Sequence, residues 1–499
     1  MKRFAILILT ICYGMLSVGQ NKFGNEWITG GGGARIKFTD SGIYTNQNHY
    51  IWSYFAMGNS CISDTSGNLI LASDGYNIYD SVGNIIDGGD TLVPKDFYIA
   101  QDGWSALSQS SIFLPMDSGI YYFITPAFSD SQYADCNTNN HCFFDLLLYN
   151  IVDMKANGGA GKVVRRMEPL MQHAQLSKTQ MMACRHKNGK DWWLLKQGGD
   201  SNIVYTFLFT QDSVYDYGKQ IFQQPLWGVW DIKGQSTFSE AGDRYATACQ
   251  ADDTLGEIFV ADFNRCNGAL SNSYVIQRPW GSLYDSIIPT ANERLPVGLA
   301  FSPNGKYLYV AGTRNLYQYD LQDSSWYHVA GMDTTVVFQD YNTIYMGPDK
   351  KLYIGNFGIS SKQMSVIDSP DVKGVGCHFC PRCLRLDSLG FAAYAGTPPC
   401  QPNYALGNTA VCWPSGTHEV KENEEVLIVY PNPANNYLFL KSDAFNKEIE
   451  ITIYNVVGQE VLKRKFQNSN STLQLDIHSL SQGMYLLKIG SSVKKFLKE

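Results

Sequence analysis

The sequence predicts an all-β chain, a β-propeller of about seven blades followed by a small antiparallel β-sandwich, and three observations carry that prediction. Of 499 residues only 17% are charged, against about 25% in an average globular protein, whereas 13% are aromatic and 45 are glycine. That balance suits short strands joined by tight turns. A unit of turn, apolar strand, loop and second strand recurs through the body, and the segment from Val426 onward alternates apolar and polar residues between turns.

The chain begins with Lys2 and Arg3, an apolar run from Phe4 to Leu16, and small residues at Ser17 and Gly19. These are the regions of a secretory signal peptide, so residues 1–19 are expected to be removed on export. The run is too short to cross a bilayer, and no later stretch approaches the ~20 apolar residues a spanning helix needs. No transmembrane segment is expected in the mature chain.

Residues 20–412 form the expected propeller. Its units include "SDTSGNLILASDGYNIYD", "PMDSGIYYFIT", "DTLGEIFVADF", "SPNGKYLYVAGTRNLYQYDL" and "GPDKKLYIGNFGISSKQMSVID". The turn residues Gly67, Gly119, Gly189, Gly256 and Gly305, with Lys350 at the matching place in the last unit, lie 45 to 70 residues apart. Propeller blades recur at about 40 to 50 residues, longer with insertions. The "DWW" of Asp191–Trp193 reads as packing between blades. "EPLMQHAQLSKTQMMA", from Glu168 to Ala183, is the one helix candidate, or else a loop entering the next strand. Closing the ring removes an exposed sheet edge, which predicts that the segment after Asn21 and the segment before Cys412 share a blade.

Residues 413–425, "WPSGTHEVKENEE", combine Pro, Gly and charges with almost nothing apolar, and read as an exposed linker. Beyond it, residues 426–499 carry nine Lys and Arg against six Asp and Glu, on a chain whose net charge is -7. The tail is therefore a second folding unit of opposite charge. "EVLIVY", "YLFLK", the two runs around Val457-Gly458-Gln459, "LQLDI", "GMYLLKI" and "VKKFL" supply about seven short strands, enough for a small sandwich.

Here the tail resembles a known family. "YPNPANNYLFL", "IYNVVGQEVL" and "SLSQGMYLLKI" before "VKKFLKE" are similar to the type A C-terminal sorting domain of the Bacteroidetes type IX secretion system. The residues that carry the resemblance are Pro431, Asn432, Pro433, Gly458, Gly483, Tyr485, Lys494 and Lys495. It implies export in two steps, first to the periplasm by the N-terminal signal, then across the outer membrane by a translocon and sorting machinery that read the folded tail. It also implies removal of the tail and release of the cargo, or its attachment to surface lipopolysaccharide. The body resembles secreted Bacteroidetes propellers of the YVTN or WD40-like type in "RHKNGKDWWLL", "FNRCNGALS", "AFSPNGKYLYV" and "CQPNYALG". Those motifs are turns and strands, so they imply a fold and no activity.

The chemistry is mostly negative. An acidic chain without a basic stripe argues against nucleic acid. Gly158-Gly-Ala-Gly161-Lys162 has Ala156 in place of the first glycine of a phosphate loop and Val163 in place of its hydroxyl, so it reads as a plain Gly-rich loop. No metalloprotease, nucleophile-elbow or full calcium-loop motif appears. Asp74, Asp80, Asp87, Asp90, Asp96 and Asp102 mostly adjoin Gly, Asn or Ser and read as turn caps, although a pair of them could serve glycoside hydrolysis. His186 and His378 read as turn or core residues.

"GCHFCPRC", Gly376–Cys383, has the look of a metal site but is expected to hold disulfides. The spacing that completes an iron–sulfur run is missing, zinc ligands normally come from two spaced pairs, and the periplasm is oxidising. Eleven of the 12 cysteines remain after signal cleavage, so at least one thiol is left over. Cys136 with Cys142 is the expected local bridge, while Cys377, Cys380, Cys383, Cys400 and Cys412 form a cluster of open connectivity. No catalytic residue, metal or cofactor is expected. The expected role is a non-catalytic binding module for a glycan, peptide or surface partner, using one face or the central channel; the alternatives are a hydrolase or lyase at the funnel and a redox or metal protein.

Overall fold

Two adjacent tryptophans show how the body is built. In the computed structural model of the chain, Trp192 and Trp193 sit on one strand and project from opposite sides of its sheet, as successive strand residues must. Trp192 Nε1 donates to Pro115 O at 3.0 Å in the preceding sheet, and Trp193 Nε1 to Arg265 O at 2.8 Å in the following one. Each sheet is thus wedged between two others. The structure describes residues 22–31, 33–47, 53–139, 142–199, 202–223, 234–250, 256–276, 297–312, 314–331, 341–356, 362–386, 396–408, 412, 428–430, 434–441, 448–455, 459–467, 472–489 and 492–499. The expected signal peptide and linker lie outside them. Contacts fall into two units divided after Trp413, each described by itself.

The first unit is a propeller of seven sheets. Blade 1 holds Glu26–Gly31, Ala34–Thr39 and Gly42–Gln47, with Tyr54–Phe55 paired at Gly30 and Gly31. Blade 2 is three-stranded, from Ser60–Ser63 through Leu69–Ser73 to Ile78–Asp80. Blades 3 to 7 each have four antiparallel strands in sequence order from the inside out, and their innermost strands are Ile112–Pro115, Leu176–Arg185, Ser236–Phe238, Gly298–Phe301 and Ile344–Met346. Five buried clusters tile the ring. They join blades 2, 3 and 4, then 4 and 5, 5 and 6, 6 and 7, and finally 7, 1 and 2, where Tyr353 meets Trp27 at 5.2 Å between ring centroids. Among the described residues, every blade takes part in at least one of these clusters.

One turn repeats at the end of the innermost strands. Gly67, Gly119, Gly189, Gly242, Gly305 and Lys350 join first to second strands in blades 2 to 7, all with φ between +64° and +89°. Glycine takes this conformation freely, whereas a side chain such as that of Lys350 costs roughly 1–2 kcal/mol. The turn of blade 5 is at Gly242; Gly256, which the sequence pattern proposed, instead begins a third strand, Gly256–Phe263. The proposed helix is absent as well. Glu168–Met171 ends one strand and Leu176–Arg185 is the innermost strand of blade 4, where Met181 to Cys184 are buried in succession rather than on one helical face. Short helices occur at Lys95–Ala100 and Asp130–Asn139, both within long insertions of blades 2 and 3.

Blade 1 draws on both ends of the unit. Glu26–Gly31 runs antiparallel to the innermost strand of blade 2, since Glu26 N reaches Ser63 Oγ while Asn59 Nδ2 reaches Ile28 O. It therefore holds the second position. The innermost one is filled by residues 396–401: Thr29 Oγ1 donates to Thr397 O at 2.6 Å, Trp27 Nε1 to Gln401 Oε1 at 3.0 Å, and Cys400 N to Asn59 O at 2.9 Å. Pro398 and Pro399 lack the donors for a regular ladder, which is why this segment is not a strand. Gly396 comes within van der Waals contact of Gly30, an approach that only small residues permit.

Glutamines stitch the centre of the ring. Gln109 Nε2 donates to Ser236 O and Gln109 Oε1 accepts from Ser236 N, both at 2.8 Å, linking blade 3 to blade 5. Gln235 joins blade 5 to blades 6 and 7 through Leu299 N, Ile344 N and Ile344 O. The centre of the ring is thus crossed by side chains.

The second unit is a seven-stranded sandwich. Ile428–Tyr430, Tyr437–Lys441 and Thr472–Asp476 form one sheet; Glu460–Gln467, Glu448–Asn455, Gly483–Ile489 and Ser492–Lys498 form the other. Leu438, Leu440, Ile451, Ile453, Leu475 and Leu487 fill the space between them.

Candidate functional site

The chain after the innermost segment of blade 1 becomes a strap across the face that carries the repeated turns. Gln401 Nε2 holds Cys61 O at 2.8 Å, and Asn403 Nδ2 holds Glu240 O at 3.0 Å in blade 5. Tyr404 drops into the mouth of the channel, donates to Phe113 O at 2.8 Å, and meets the rings of Phe23 and Trp192 edge-on. Further on, Arg265 Nη2 donates to Gly407 O at 2.8 Å, and Cys266 is bonded to Cys412. The described part of the strap is thus pinned at both ends.

Between this strap and blades 4 to 7 and 1 lies a cavity of about 410 Å³. Trp27, Phe38, Phe238, Phe301, Tyr345 and Tyr404 supply its apolar walls. Asp40, Glu240, Asp349, Lys22 and Lys350 stand around it, with the amides of Asn25, Gln401 and Asn403. Its charged groups are largely engaged. Lys350 pairs with Glu240, so the turns of blades 7 and 5 are bridged by an ion pair. Asp349 Oδ2 accepts the Tyr353 hydroxyl at 2.8 Å, and burial, then the nearby Asp349 charge, drives the Tyr353 pKa far upward. Burial pushes the Cys184 thiol up to about 12, and the Tyr345 and Tyr404 phenols are raised well above their ordinary range, burial first. A thiol in that state is no nucleophile near neutral pH. Among the described residues, the lining holds no histidine.

The aspartates singled out in the sequence do not converge here. Asp74 is buried and accepts Tyr76 N, Asn77 N, Asn77 Nδ2 and the Tyr79 hydroxyl, while Asp80 caps its turn through Val82, Gly83 and Asn84 N. Asp87 pairs with Lys162 of the Gly-rich loop at 2.8 Å, and Asp90 with Arg166 at 3.7 Å. Asp96 lies in the first turn of Lys95–Ala100, and Asp102 follows that helix with φ +53°. His186 lies in the blade 4 turn, with Nδ1 accepting from Asn188 N and Nε2 facing Cys266 O, both at 3.1 Å. His378 caps a short 3-10 turn with φ +52°.

Among the cysteines, Cys136 and Cys142 are bonded, and so are Cys380 and Cys383. Cys412 finds its partner 146 residues away, at Cys266, which sequence reasoning missed because the pairing depends on how the ring wraps. Two expected bridge members are corrected: Cys377 and Cys400 are buried free thiols, as are Cys61 and Cys184. Cys400 sits on the innermost segment beside Tyr345, and Cys377 beside Tyr309, each in apolar surroundings without a second thiol bonded to it. In the tail, Gly483 and Tyr485 lie on the strand that pairs with Lys494 and Lys495 through Leu487 and Leu486, so two of the motif blocks form one hairpin. The Tyr485 hydroxyl donates to Ser481 O at 2.8 Å. Pro431, Asn432, Pro433 and Gly458 lie outside the described residues.

The residues that build the site from within, Gln109, Gln235, Arg265 and Asn403, were not singled out by sequence. A faint signal existed: Gln109-Ser-Ser and Gln235-Ser-Thr repeat just before two innermost strands.

Residues 428–499 match a family described as the secretion system C-terminal sorting domain. No curated protein matches the chain. Among solved structures, a candidate 6-phosphogluconolactonase from Bacteroides uniformis ATCC 8492 aligns with 93% of this chain and 99% of its own, at 13% identity and TM-score 0.34. Another from Bacteroides fragilis NCTC 9343 aligns with 91% and 98%, at 12% identity and TM-score 0.33. A luciferin-regenerating enzyme aligns with 75% and 96%, at 10% identity and TM-score 0.32. The fold rests on the seven sheets themselves. No described helix is long and apolar enough to cross a membrane.

Proposed function

We propose that this chain, a type IX secretion cargo bound for the medium or the outer cell surface, is a non-catalytic binding module whose ligand enters the cavity beneath the strap. The observation that carries the reading is the state of the cavity's reactive groups. Glu240 is held by Lys350, Asp349 by Tyr353, and the Cys184 thiol is kept protonated by burial. General acid–base chemistry needs a carboxyl or amine free to reach the substrate's proton, and nucleophilic chemistry needs an activated group. Walls of aromatic rings with a few fixed polar groups are instead what small-ligand sites offer. Attachment to surface lipopolysaccharide would present this cavity to the surroundings.

The test is calorimetric titration of the secreted chain with glycan and peptide panels, beside assays for hydrolysis and elimination on the same compounds. Saturable binding without turnover, weakened by Asn403→Ala, supports the module. Turnover lost in an Asp349→Asn variant establishes the hydrolase or lyase reading instead.

A further inference from the structure

Beside Tyr345, the ring carries buried oxygens with no partner in the protein. Asn59 Oδ1, Asn342 Oδ1, Thr343 Oγ1 and Thr397 Oγ1 are buried without a hydrogen-bond partner, and the Tyr345 hydroxyl, beside Cys400 and Gln109, makes no well-formed bond either. These five sit where the innermost segments of blades 7, 1 and 2 meet. Cys400 N bonds Asn59 O, Gly355 N bonds Thr343 O while Gly355 itself abuts Thr397, and Asn342 Nδ2 lies 3.0 Å from Met57 Sδ. Thr343 and Tyr345 are two apart on extended backbone and so project to one side. A buried oxygen left unsatisfied costs about 1–3 kcal/mol, so five without a protein partner mark a place built to hydrogen-bond something.

The chemistry of the five selects the partner. The Asn59 amide has already given its N–H to Ile28 O at 2.9 Å, and that of Asn342 faces Met57. What is left is two acceptors and three hydroxyls, with no charge. An anion would face amide oxygens, and a cation would be buried without a counter-charge, which costs several kcal/mol. A hydroxyl group donates and accepts at once and fits. Tyr345 connects the two regions, since it also lines the cavity. Resting on the cavity as a binding site, we infer that its ligand is a neutral saccharide, with one hydroxyl seated past Tyr345 toward Thr343 and Thr397. Around the cavity Lys350 offsets Glu240, while Asp40 and Asp349 outnumber Lys22, and that balance acts against acidic sugars in the same sense.

Titration of the full secreted chain with methyl glycosides of neutral hexoses, neutral disaccharides and the matching uronic acids tests this. At least one neutral sugar should bind at least tenfold more tightly than its uronic acid, and Thr343→Val and Tyr345→Phe should each weaken it about tenfold. If either variant fails to fold, single-deoxy sugars on the unaltered chain give the same information: one position should lose about tenfold. Neutral sugar binding that is indifferent to both variants and to every deoxy position overturns the inference and leaves the binding module standing. Equal or tighter binding of uronic acids overturns it too. Binding of no saccharide and no peptide overturns both.

Discussion

Replacing Lys196 with methionine should stabilise the propeller, and by an amount that depends on pH. Lys196 lies on Trp192–Gly198, the second strand of blade 4, fully buried, with Nζ donating to Thr179 O. Burial alone pulls its pKa from 10.5 down to about 7, with no carboxylate acting on it. A shift of that size corresponds to about 5 kcal/mol at 1.36 kcal/mol per unit, taken as a ceiling. Losing the ammonium also leaves Thr179 O unmet, which returns about 1–3 kcal/mol. The variant should therefore gain about 2–4 kcal/mol at pH 6. The sign follows from proton counts. Between about 7 and 10.5 the unfolded chain holds a proton on this lysine that the folded chain does not, so the stability of the unaltered protein rises with pH across that window. Below it both states are protonated and the full penalty applies. Thermal unfolding of both proteins from pH 6 to pH 10.5 should show the advantage of Lys196→Met largest at pH 6, and lost and then reversed toward the alkaline end. A variant less stable at pH 6, or a gap that is flat with pH, would refute a desolvated amine.

Three further outcomes are expected. Cys266→Ser with Cys412→Ser opens a loop of 146 residues, worth up to about 5 kcal/mol of loop-closure entropy, so limited proteolysis should cut the strap first; an unchanged cleavage pattern counts against its being held there. Gln109→Leu removes both bonds to Ser236 and leaves that peptide group unmet at the ring centre, so the melting temperature should fall by the equivalent of about 2–4 kcal/mol, and an unchanged one would deny the cross-ring link. Deleting Val426 to Glu499 should leave the propeller in the periplasm, and cell fractionation that finds it outside would contradict the sorting role of the tail.

The sequence exposed what repeats and concealed what happens once. Gly67, Gly119, Gly189 and Gly305 stood out because one backbone conformation recurs at each. Gly256 misled because the stretch before it copies a turn followed by an apolar strand, while the true equivalent, Gly242, is followed by Asp243 and Arg244, which hide the strand behind them. The innermost segment of blade 1 and the strap after it left no period to read, since Pro398, Pro399 and Pro402 deny them a ladder. Cys266 and Gln109 act across the ring, on partners that only closure brings near. The cavity was invisible for the same reason: its walls come from five blades and the strap.

The innermost place of blade 1 goes to residues 396–401, which are synthesised after every described strand of the ring. Until they arrive, Trp27 and Thr29 face a gap, and no shorter piece of the body can fill it. A chain stopped early therefore advertises its own incompleteness through an open seam, whereas a finished one seals it and lays the strap in the same movement. Maturity of the ring and completion of the cavity beneath the strap become a single event, timed by the end of the body rather than by any of its blades.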